Sequence, residues 1–484
     1  MGKKQEAIAA LAATHRIDPL DVRTMAERWL ASGTPESRTE LTATTNQFPA
    51  TAEETAAEYL NAGLWSDGAE VLSQAIAAAP DPTKIQPMLY YYLGYFAEKL
   101  NQPQKAAEDY ALAAKMPSDY VFPFQNEAID VLHAAMKSNP QDAHAPYYLG
   151  NLLFDSQPDE AIALWQASAA LDPSNAIVHR NLGIAFSHRK SGGSLDTAIA
   201  QMELAVSLPH KYALHFTELD EMYEAEGAAP EKRLALLEDN RDVVAQRDDS
   251  LAREINLLVA TGKFDQAITL LNSKEFAVWE GGTLSVADDW ADAHLLRGRL
   301  YLQDKKYQEA IADFKAALEI PSNLPSEERI NREPETDYYL GKAYLGLGDQ
   351  DQAKQYWQKS SASEKAAPAH QHSEHESIGP RTIQAVYKAF SLRALGQNDQ
   401  ADASFHALLD RANRITQKQP AQFDPNAPLS DLLQQRTRFA IAHYVAAMCS
   451  FGLDEKQKAA EELNLALQAK PGLPAARFAY DHTR

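Results

Sequence analysis

Small and large apolar residues recur along this chain at a spacing of about 34 residues. One occurrence begins at Leu93-Gly94 and continues with Ala106, Tyr110 and Ala113. Further occurrences contain Leu149-Gly150, Ala161 and Trp165; Leu182-Gly183, Ala198 and Met202; Gly298, Ala310 and Phe314; and Leu340-Gly341, Ala353 and Trp357. Within each occurrence the apolar positions follow the period of an α-helix, which predicts two antiparallel helices, A and B. The glycine lies on helix A where a neighbouring helix crosses closely, and alternating bulk on helix B lets ridges enter grooves.

This spacing is typical of the tetratricopeptide repeat. It predicts an all-α fold, a right-handed superhelical solenoid of about ten to twelve helix-turn-helix units, some of them degenerate. One unit cannot bury its own apolar faces, so the units stack and each contacts its neighbours. The sequence contains no β pattern of any length. A fold of this kind favours binding over chemistry as the function.

Interruptions of the pattern predict four segments. They are an N-terminal array over 1–209, central repeats with an inserted Trp-Glu-Gly-Gly stretch over 210–360, a flexible His-rich loop over 361–380, and C-terminal repeats over 381–484. The first array starts in mid-repeat, since Gly2, Ala7, Leu11 and Pro19 match only the second half of a unit. An orphan helix B leaves an apolar face uncovered, so we expect a longer parent protein or a trimmed start.

The amino-acid composition restricts the classes of partner that this protein is expected to bind. The formal net charge of −21, from 67 acidic and 46 basic residues, repels phosphate backbones and argues against nucleic-acid binding. No apolar run approaches the length of a membrane span, which together with the lack of a signal peptide predicts a cytoplasmic protein. Cys449 is the only cysteine and lies in an Ala-rich helix, where we expect a buried, inert thiol.

Candidate binding residues lie on helix A, one turn apart and opposite the Leu-Gly stripe, where a stacked array forms a groove. They are Tyr91, Tyr95, Lys99, Tyr147, Asn151, Arg180, Arg299 and Tyr338, with Lys342 beside them. Tyrosine, asparagine and arginine suit a recognition surface, and cations in an acidic chain indicate an anionic or hydroxyl-rich ligand. Asn151 and Arg180 are the strongest candidates. The structural alternative is that tyrosine fills space between helices and arginine pairs with a nearby carboxylate.

Two other stretches stand outside the repeats. Trp279 and Glu280, followed by two glycines, form a loop that closes no repeat and is either a second binding element or a plug over imperfect packing. His370, His372 and His375 lie in a polar loop, which supplies no fixed metal geometry. The chain has no recognised catalytic, nucleotide or zinc motif, so we predict no enzymatic activity, no cofactor and no metal.

The order of several motifs resembles the C-terminal repeat region of large bacterial proteins that carry a DUF5107 domain. The motifs are Asp18-Pro19-Leu20-Asp21, Tyr59-Leu60-Asn61-Ala62-Gly63-Leu64, Val121-Phe122-Pro123-Phe124, Tyr147-Tyr148-Leu149-Gly150-Asn151, Arg180-Asn181-Leu182-Gly183, and Val278-Trp279-Glu280-Gly281-Gly282 with Asp292-Ala293-His294. In that family a β-rich domain similar to carbohydrate-processing sandwiches precedes the repeats. The resemblance implies an upstream β-rich domain as a partner and a lean towards carbohydrate biology.

Three hypotheses follow. The first is a non-catalytic scaffold whose groove holds a protein or peptide partner, including its own missing upstream domain. The second is a carbohydrate-binding or carbohydrate-processing role, in which tyrosine faces stack on sugars. The third is a hydrolase with carboxylates around Glu280, which requires a second carboxylate at about 5–10 Å. We favour the scaffold.

Overall fold

The structure is a computed structural model that describes residues 3–188, 192–277, 285–325, 330–362, 378–420, 422–424 and 427–482. Within these ranges the chain forms 26 α-helices and no strand, which confirms the predicted all-α repeat fold. The helices fall into two compact units, the first reaching Ala185 and the second beginning at Phe186. The predicted segment boundaries at 209, 360 and 380 stay predictions.

The first unit contains α1 to α11. Their bounds are Lys4–Ile17, Val22–Ser32, Pro35–Gln47, Pro49–Asn61, Trp65–Ala77, Pro87–Lys99, Pro103–Ala113, Ala128–Ser138, His144–Leu153, Pro158–Leu171 and Ala176–Ser187, the last of which ends just past the unit. Consecutive helices pack as antiparallel pairs, most extensively α6 with α7 and α9 with α10. No helix covers residues 117–127, between α7 and α8.

The second unit contains α12 to α26. Their bounds are Leu195–Ser207, Ala213–Glu226, Pro230–Glu238, Arg241–Val244, Asp248–Ala260, Phe264–Leu271, Val286–Gln303, Tyr307–Ala316, Glu333–Gly346, Gln350–Ala362, Pro380–Ala394, Asn398–Thr416, Leu429–Gly452, Lys456–Ala469 and Pro474–His482. No helix in the described ranges has both the length and the apolar character needed to cross a bilayer.

At Gly94, Gly150, Gly298 and Gly341, the missing Cβ leaves room for the large aromatic residue of the following helix B. A Cβ on Gly150 would lie only 2.5 Å from Nε1 of Trp165, and one on Gly94 would lie 2.5 Å from Cε1 of Tyr110. Gly298 faces Phe314 at 2.6 Å in the same way. Real Cβ atoms do not approach this closely, so the glycine lets an aromatic ring lie against the helix backbone. This contact is the physical basis of the repeat signature.

The helices at the two ends of the chain differ in burial. Helix α1 has no buried residue, and Ala7 and Ala10 on it are exposed. In the C-terminal part of the second unit, α24 packs against α13 and α26 packs against α16 and α18. The last helices therefore return to repeats that lie some two hundred residues earlier in sequence. Cys449 is buried in α24, as predicted, and burial raises the pKa of its thiol to about 12.

Glu53 on α4 has a buried carboxyl group with few hydrogen-bond partners among the described residues. Its Oε2 accepts a hydrogen bond from Nε2 of Gln86 at 2.9 Å, whereas its Oε1 has no partner among the described residues. Burial raises the pKa of Glu53 from 4.5 to about 7. The folded state therefore holds the proton more tightly than the unfolded state. The contribution of Glu53 to stability is therefore greatest below pH 4.5 and falls as the pH rises towards 7.

We expect Glu53→Gln to remove this pH dependence. The variant should match the wild type at pH 4 and be more stable at pH 8 by up to about 3 kcal/mol. Urea unfolding followed by circular dichroism across pH 4–8 measures the difference. Glu70→Gln, on the exposed side of α5, is the control with the same change of charge. An unchanged decline of stability with pH in Glu53→Gln would contradict the assignment.

Candidate functional site

In the first unit, Trp165 fixes the orientation of the Asn151 amide. The indole Nε1 of Trp165 lies 3.1 Å from Asn151 Oδ1. An indole N–H only donates, so the contacted atom of Asn151 must be its oxygen and the Nδ2 group must point the other way. Trp165 reaches this position because Gly150 leaves room for its ring. Asn151 is half-buried, and its Nδ2 hydrogens have no acceptor within the described ranges.

The same oxygen atom, Oδ1 of Asn151, also accepts a hydrogen bond from the helix A of the next repeat. Nδ2 of Asn181, on α11, donates to Oδ1 of Asn151 at 3.0 Å. The Oδ1 atom of Asn181 then accepts from Nη1 of Arg180 at 3.3 Å. The strongest two candidates, Asn151 and Arg180, are thus joined through Asn181, which sequence reasoning did not single out as a site residue. All three side chains are half-buried and present polar groups on adjoining helix A faces.

Tyr95 and Lys99 lie together on α6. The ammonium of Lys99 is 4.6 Å from the ring centroid of Tyr95, which is a cation–π contact. Lys99 is exposed and Tyr95 is half-buried. Both are accessible to a ligand, and their role as ligand contacts stays a prediction.

Two other predicted groove residues of the first unit are buried. Tyr91 is 0% exposed, and its hydroxyl donates to Oδ2 of Asp142 at 2.7 Å. Asp142 in turn accepts from the backbone N–H groups of His144 and Ala145 in the first turn of α9. Tyr147 is also buried and packs against a neighbouring tyrosine ring. The structure corrects the expectation that Tyr91 and Tyr147 line an open surface, because both rings fill space between helices.

In the second unit, the C-terminal helix covers the predicted groove residue Arg299. This side chain is 8% exposed, and its guanidinium lies 4.3 Å from the ring centroid of Phe478 on α26 and 5.0 Å from that of Tyr339. Tyr338 is half-buried and packs against Tyr339 and Phe390. The expectation of an open groove at Arg299 is corrected, since the chain itself occupies that face.

Family models support the repeat assignment. The model described as "Tetratricopeptide repeat" matches residues 54–120 and 253–325, and a second model with the same description matches residues 335–360. The chain carries tetratricopeptide repeats. The resemblance to the repeat region of DUF5107 proteins, with its upstream domain and its carbohydrate link, stays a prediction, as do the bacterial source and the cytoplasmic location.

Solved structures with helical repeats are similar to this chain at low identity. YrrB, described as a TPR protein with an unusual peptide-binding site, is 15% identical over 48% of this chain and 91% of its own, with a TM-score of 0.26. The APC/C hetero-tetramer Cut9–Hcn1 is 12% identical over 99% and 96%, with a TM-score of 0.28. Naa15/Naa10 bound to HypK is 13% identical over 87% and 63%, with a TM-score of 0.30. None of these scores supports an argument about function.

In the tetratricopeptide repeats of the second unit, Arg436 on α24 connects the C-terminal ends of two other helices, α13 and α25. Its Nε donates to the carbonyl of Ala225 at 2.7 Å and its Nη2 to the carbonyl of Glu226 at 2.9 Å, both at the end of α13. Its Nη1 donates to the carbonyl of Ala469 at 2.9 Å, at the end of α25. Helix C-termini carry unpaired carbonyls and partial negative charge, which one guanidinium satisfies here on two helices.

A buried cluster of charged side chains lies on α13, close to the helix end that Arg436 contacts. Asp220 on α13 is 0% exposed and accepts from Arg233 on α14 at 2.8 Å and from Arg253 on α16. Glu224, one turn further along α13, accepts from both arginines and from Nζ of Lys470 at 2.7 Å. Burial alone would raise the pKa of Asp220, but Arg253 and Arg233 hold it below its usual range. The i, i+4 spacing of Asp220 and Glu224 is the sequence signal for this cluster, although it does not identify the partners.

Some predictions fall outside the described residues. Trp279, Glu280, His370, His372 and His375 all lie there, so the second binding element, the hydrolase hypothesis and the His-rich tract stay untested. Among the residues that the structure does describe, no group of three or more His, Cys, Asp or Glu side chains is arranged to hold a metal ion.

Proposed function

We propose that this protein is a non-catalytic interaction scaffold that holds an extended segment of a partner protein on the helix A face of its first unit. The observation that carries the proposal is the linked set of Trp165, Asn151, Asn181 and Arg180. Three hydrogen bonds join these four side chains, and they leave the Nδ2 hydrogens of Asn151 directed away from its protein partners.

An oriented amide suits the backbone of an extended chain. A peptide backbone offers a carbonyl acceptor at every residue, and the donors of Asn151 are held in place before any ligand arrives, which lowers the entropic cost of binding. Arg180, on the next helix A, donates to the Asn181 amide and so helps to hold this set of side chains in place. Tyr95 and Lys99 provide a flat apolar area and a further charge on α6. Together these residues offer polar groups that can select a ligand and apolar area that can contact it. This is the usual composition of a recognition surface.

We expect Asn151→Asp to separate the structural role of this residue from its binding role. Aspartate has nearly the same shape and still accepts from Trp165 and Asn181, but it cannot donate to a ligand. Peptides selected for the wild-type protein by phage display should bind the variant about 10- to 100-fold more weakly, the effect of losing a hydrogen bond and adding a repulsive charge. Fluorescence anisotropy with labelled peptides measures the affinities.

Asn126→Asp is the matched control, since Asn126 is exposed and lies before α8. It adds the same charge to the same unit and should leave binding unchanged. The proposal is contradicted if selected peptides bind all three proteins equally, or if selection against the folded protein yields no peptide that binds.

A further inference from the structure

Residues 117–124, here called the aromatic segment, connect α7 to α8 without forming a helix. They expose three large rings, since Tyr120 is 90% exposed, Phe122 66% and Phe124 49%. Among the other tyrosine, tryptophan and phenylalanine side chains that the structure describes, only Phe48 is exposed. A monomeric protein rarely exposes several large apolar side chains together, and such a patch is often functional.

Two buried side chains hold the aromatic segment in place. Val121 is 4% exposed and Pro123 is buried, so buried and exposed residues alternate from Val121 to Phe124. This alternation is that of an extended chain, in which successive side chains point to opposite sides. The rings of Phe122 and Phe124 are therefore held on the same, outer side before any partner binds.

Tyr120 lies at a turn just before this extended stretch. Its φ angle is 58°, in the left-handed region that residues with a side chain rarely occupy. Such conformations persist where the surrounding structure fixes them, and they cluster at functional sites. The backbone of Tyr120 thus agrees with a functional role for the aromatic segment.

The backbone of the aromatic segment offers hydrogen-bond acceptors. Within the described ranges, no N–H or carbonyl group of residues 117–124 has a hydrogen-bond partner. Pro117 and Pro123 have no N–H, so the segment has eight carbonyls but only six N–H donors. Backbone groups that the protein leaves unpaired bind water or a partner, and an excess of acceptors favours a partner that brings donors.

The charges along this part of the chain favour the same kind of partner. Residues 116–136 contain Asp119, Glu127 and Asp130 but no lysine or arginine, although Lys115 and Lys137 lie just outside. The side chains of Asp119 and Asp130 are exposed, one before and one after the aromatic segment. Carboxylates on both sides of an apolar patch attract a partner with cations on both sides of its own apolar surface.

Glu127 connects the end of this segment to a second acidic stretch. Its Oε1 accepts from Nδ2 of Asn61, at the end of α4, at 2.6 Å. Residues 39–83, which include α4 and α5, contain no lysine or arginine. Glu54 and Asp67 in this stretch are exposed and form no ion pair with a described residue. The surroundings of the aromatic segment are therefore acidic, which raises the local concentration of cationic partners.

We infer that the aromatic segment is a docking surface for a basic amphipathic helix of a partner protein. Such a helix carries a stripe of apolar side chains between rows of lysine or arginine. The stripe covers the rings of Phe122 and Phe124, and the cations bind Asp119, Asp130 and the unpaired carbonyls. The surface uses none of the side chains of the linked set around Asn151, so it adds a second partner contact to the proposed function.

The probe is a labelled helical peptide of about 15 residues with leucine on one face and lysine on the other, titrated with the full chain by fluorescence anisotropy. A peptide of the same composition, with the leucines spread around the helix, is its control and should bind more weakly. Phe122→Ser and Phe124→Ser should each weaken the amphipathic peptide at least about 10-fold, as loss of a central aromatic contact does. Phe48→Ser removes an exposed phenylalanine of the same unit and should have no effect.

Asp119→Asn tests the contribution of charge. It should weaken the amphipathic peptide about 2- to 5-fold at low salt, the effect of losing one exposed ion pair, and reduce the salt dependence of binding. Asp410→Asn, which removes an exposed carboxylate from α23, should change neither. An equal effect of both substitutions would contradict a local role of Asp119.

The outcomes separate specific docking from unspecific attraction. A loss in Phe122→Ser and Phe124→Ser without a loss in Phe48→Ser supports the inference. Absence of binding, equal binding of the two peptides, or an equal loss in Phe48→Ser overturns it. A wild-type dimer in sedimentation equilibrium that Phe122→Ser dissociates also overturns it, because a second copy of the chain then covers the segment.

Two further measurements make these outcomes unambiguous. Circular dichroism should show that Phe122→Ser and Phe124→Ser fold like the wild type, because both side chains lie at the surface. Asn151→Asp should bind the amphipathic peptide like the wild type. Failure of this inference is therefore distinct from failure of the proposed function.

Discussion

Asp220→Ala is expected to destabilise the protein by about 3–5 kcal/mol, the largest effect among the substitutions considered. The change leaves Arg233 and Arg253, each about 95% buried, with Glu224 as the main remaining counter-charge. Two like charges that face each other in a low-dielectric interior repel strongly, and neither can regain its water. Urea unfolding monitored by circular dichroism gives the change in free energy.

Acid should reproduce part of this loss in the wild type. Because the folded-state pKa of Asp220 lies below its unfolded value, its contribution is present above the unfolded pKa and is lost as the pH falls through the folded value. Asp220→Ala should therefore show less acid sensitivity than the wild type. Asp239→Ala, at an exposed position after α14, is the control and should change stability by less than about 0.5 kcal/mol. A loss below about 1 kcal/mol for Asp220→Ala would show that the cluster is not held as described.

The triple change Asp220→Leu, Arg233→Met, Arg253→Met addresses what the cluster is for. Buried ion clusters are often replaced by apolar side chains of similar volume without loss of stability. If the triple variant is as stable as the wild type, the cluster fixes the alignment of α13, α14 and α16 more than it stabilises them.

Arg436→Ala is expected to lower the free energy of unfolding by about 2–4 kcal/mol and to weaken the contacts of α24 with α13 and α25. Three backbone carbonyls lose their donor at once, at Ala225, Glu226 and Ala469. Arg436→Lys should recover little of the loss, because an ammonium on a flexible stem cannot direct hydrogen bonds to two helix ends. The bonds to Ala225 and Ala469 are partly buried, so we expect their loss to account for most of this cost.

Hydrogen–deuterium exchange shows which helices are destabilised by Arg436→Ala. We expect amides of the last turns of α13 and α25 to lose protection in Arg436→Ala, because Arg436 binds the carbonyls there, whereas those of α6 and α7 in the first unit keep it. Arg438→Ala removes an exposed arginine from the same helix and serves as the control. Unchanged protection of these two helix ends in Arg436→Ala would contradict the role assigned to Arg436.

The repeat signature predicted the elements well because it records local packing. Gly150 with Trp165 and Gly94 with Tyr110 are contacts within one helix pair, and each follows from a glycine on helix A and a large residue on helix B. The candidate surface of the first unit was predicted in part. Asn151 and Arg180 lie on neighbouring helix A faces as expected, but the spacing alone could not show that Asn181 connects them or that Tyr91 and Tyr147 are buried.

The amino-acid sequence by itself determined the all-α class, the positions of most helix pairs and the burial of Cys449, because these depend on residues close together along the chain. The tertiary structure alone decided that α24 and α26 return to α13, α16 and α18, that Arg436 connects the ends of α13 and α25, and that Arg299 is covered by Phe478. One further contact of the last helix, between Arg477 on α26 and Glu231 on α14, joins residues 246 positions apart. No repeat period relates such residues, so only the fold brings them together.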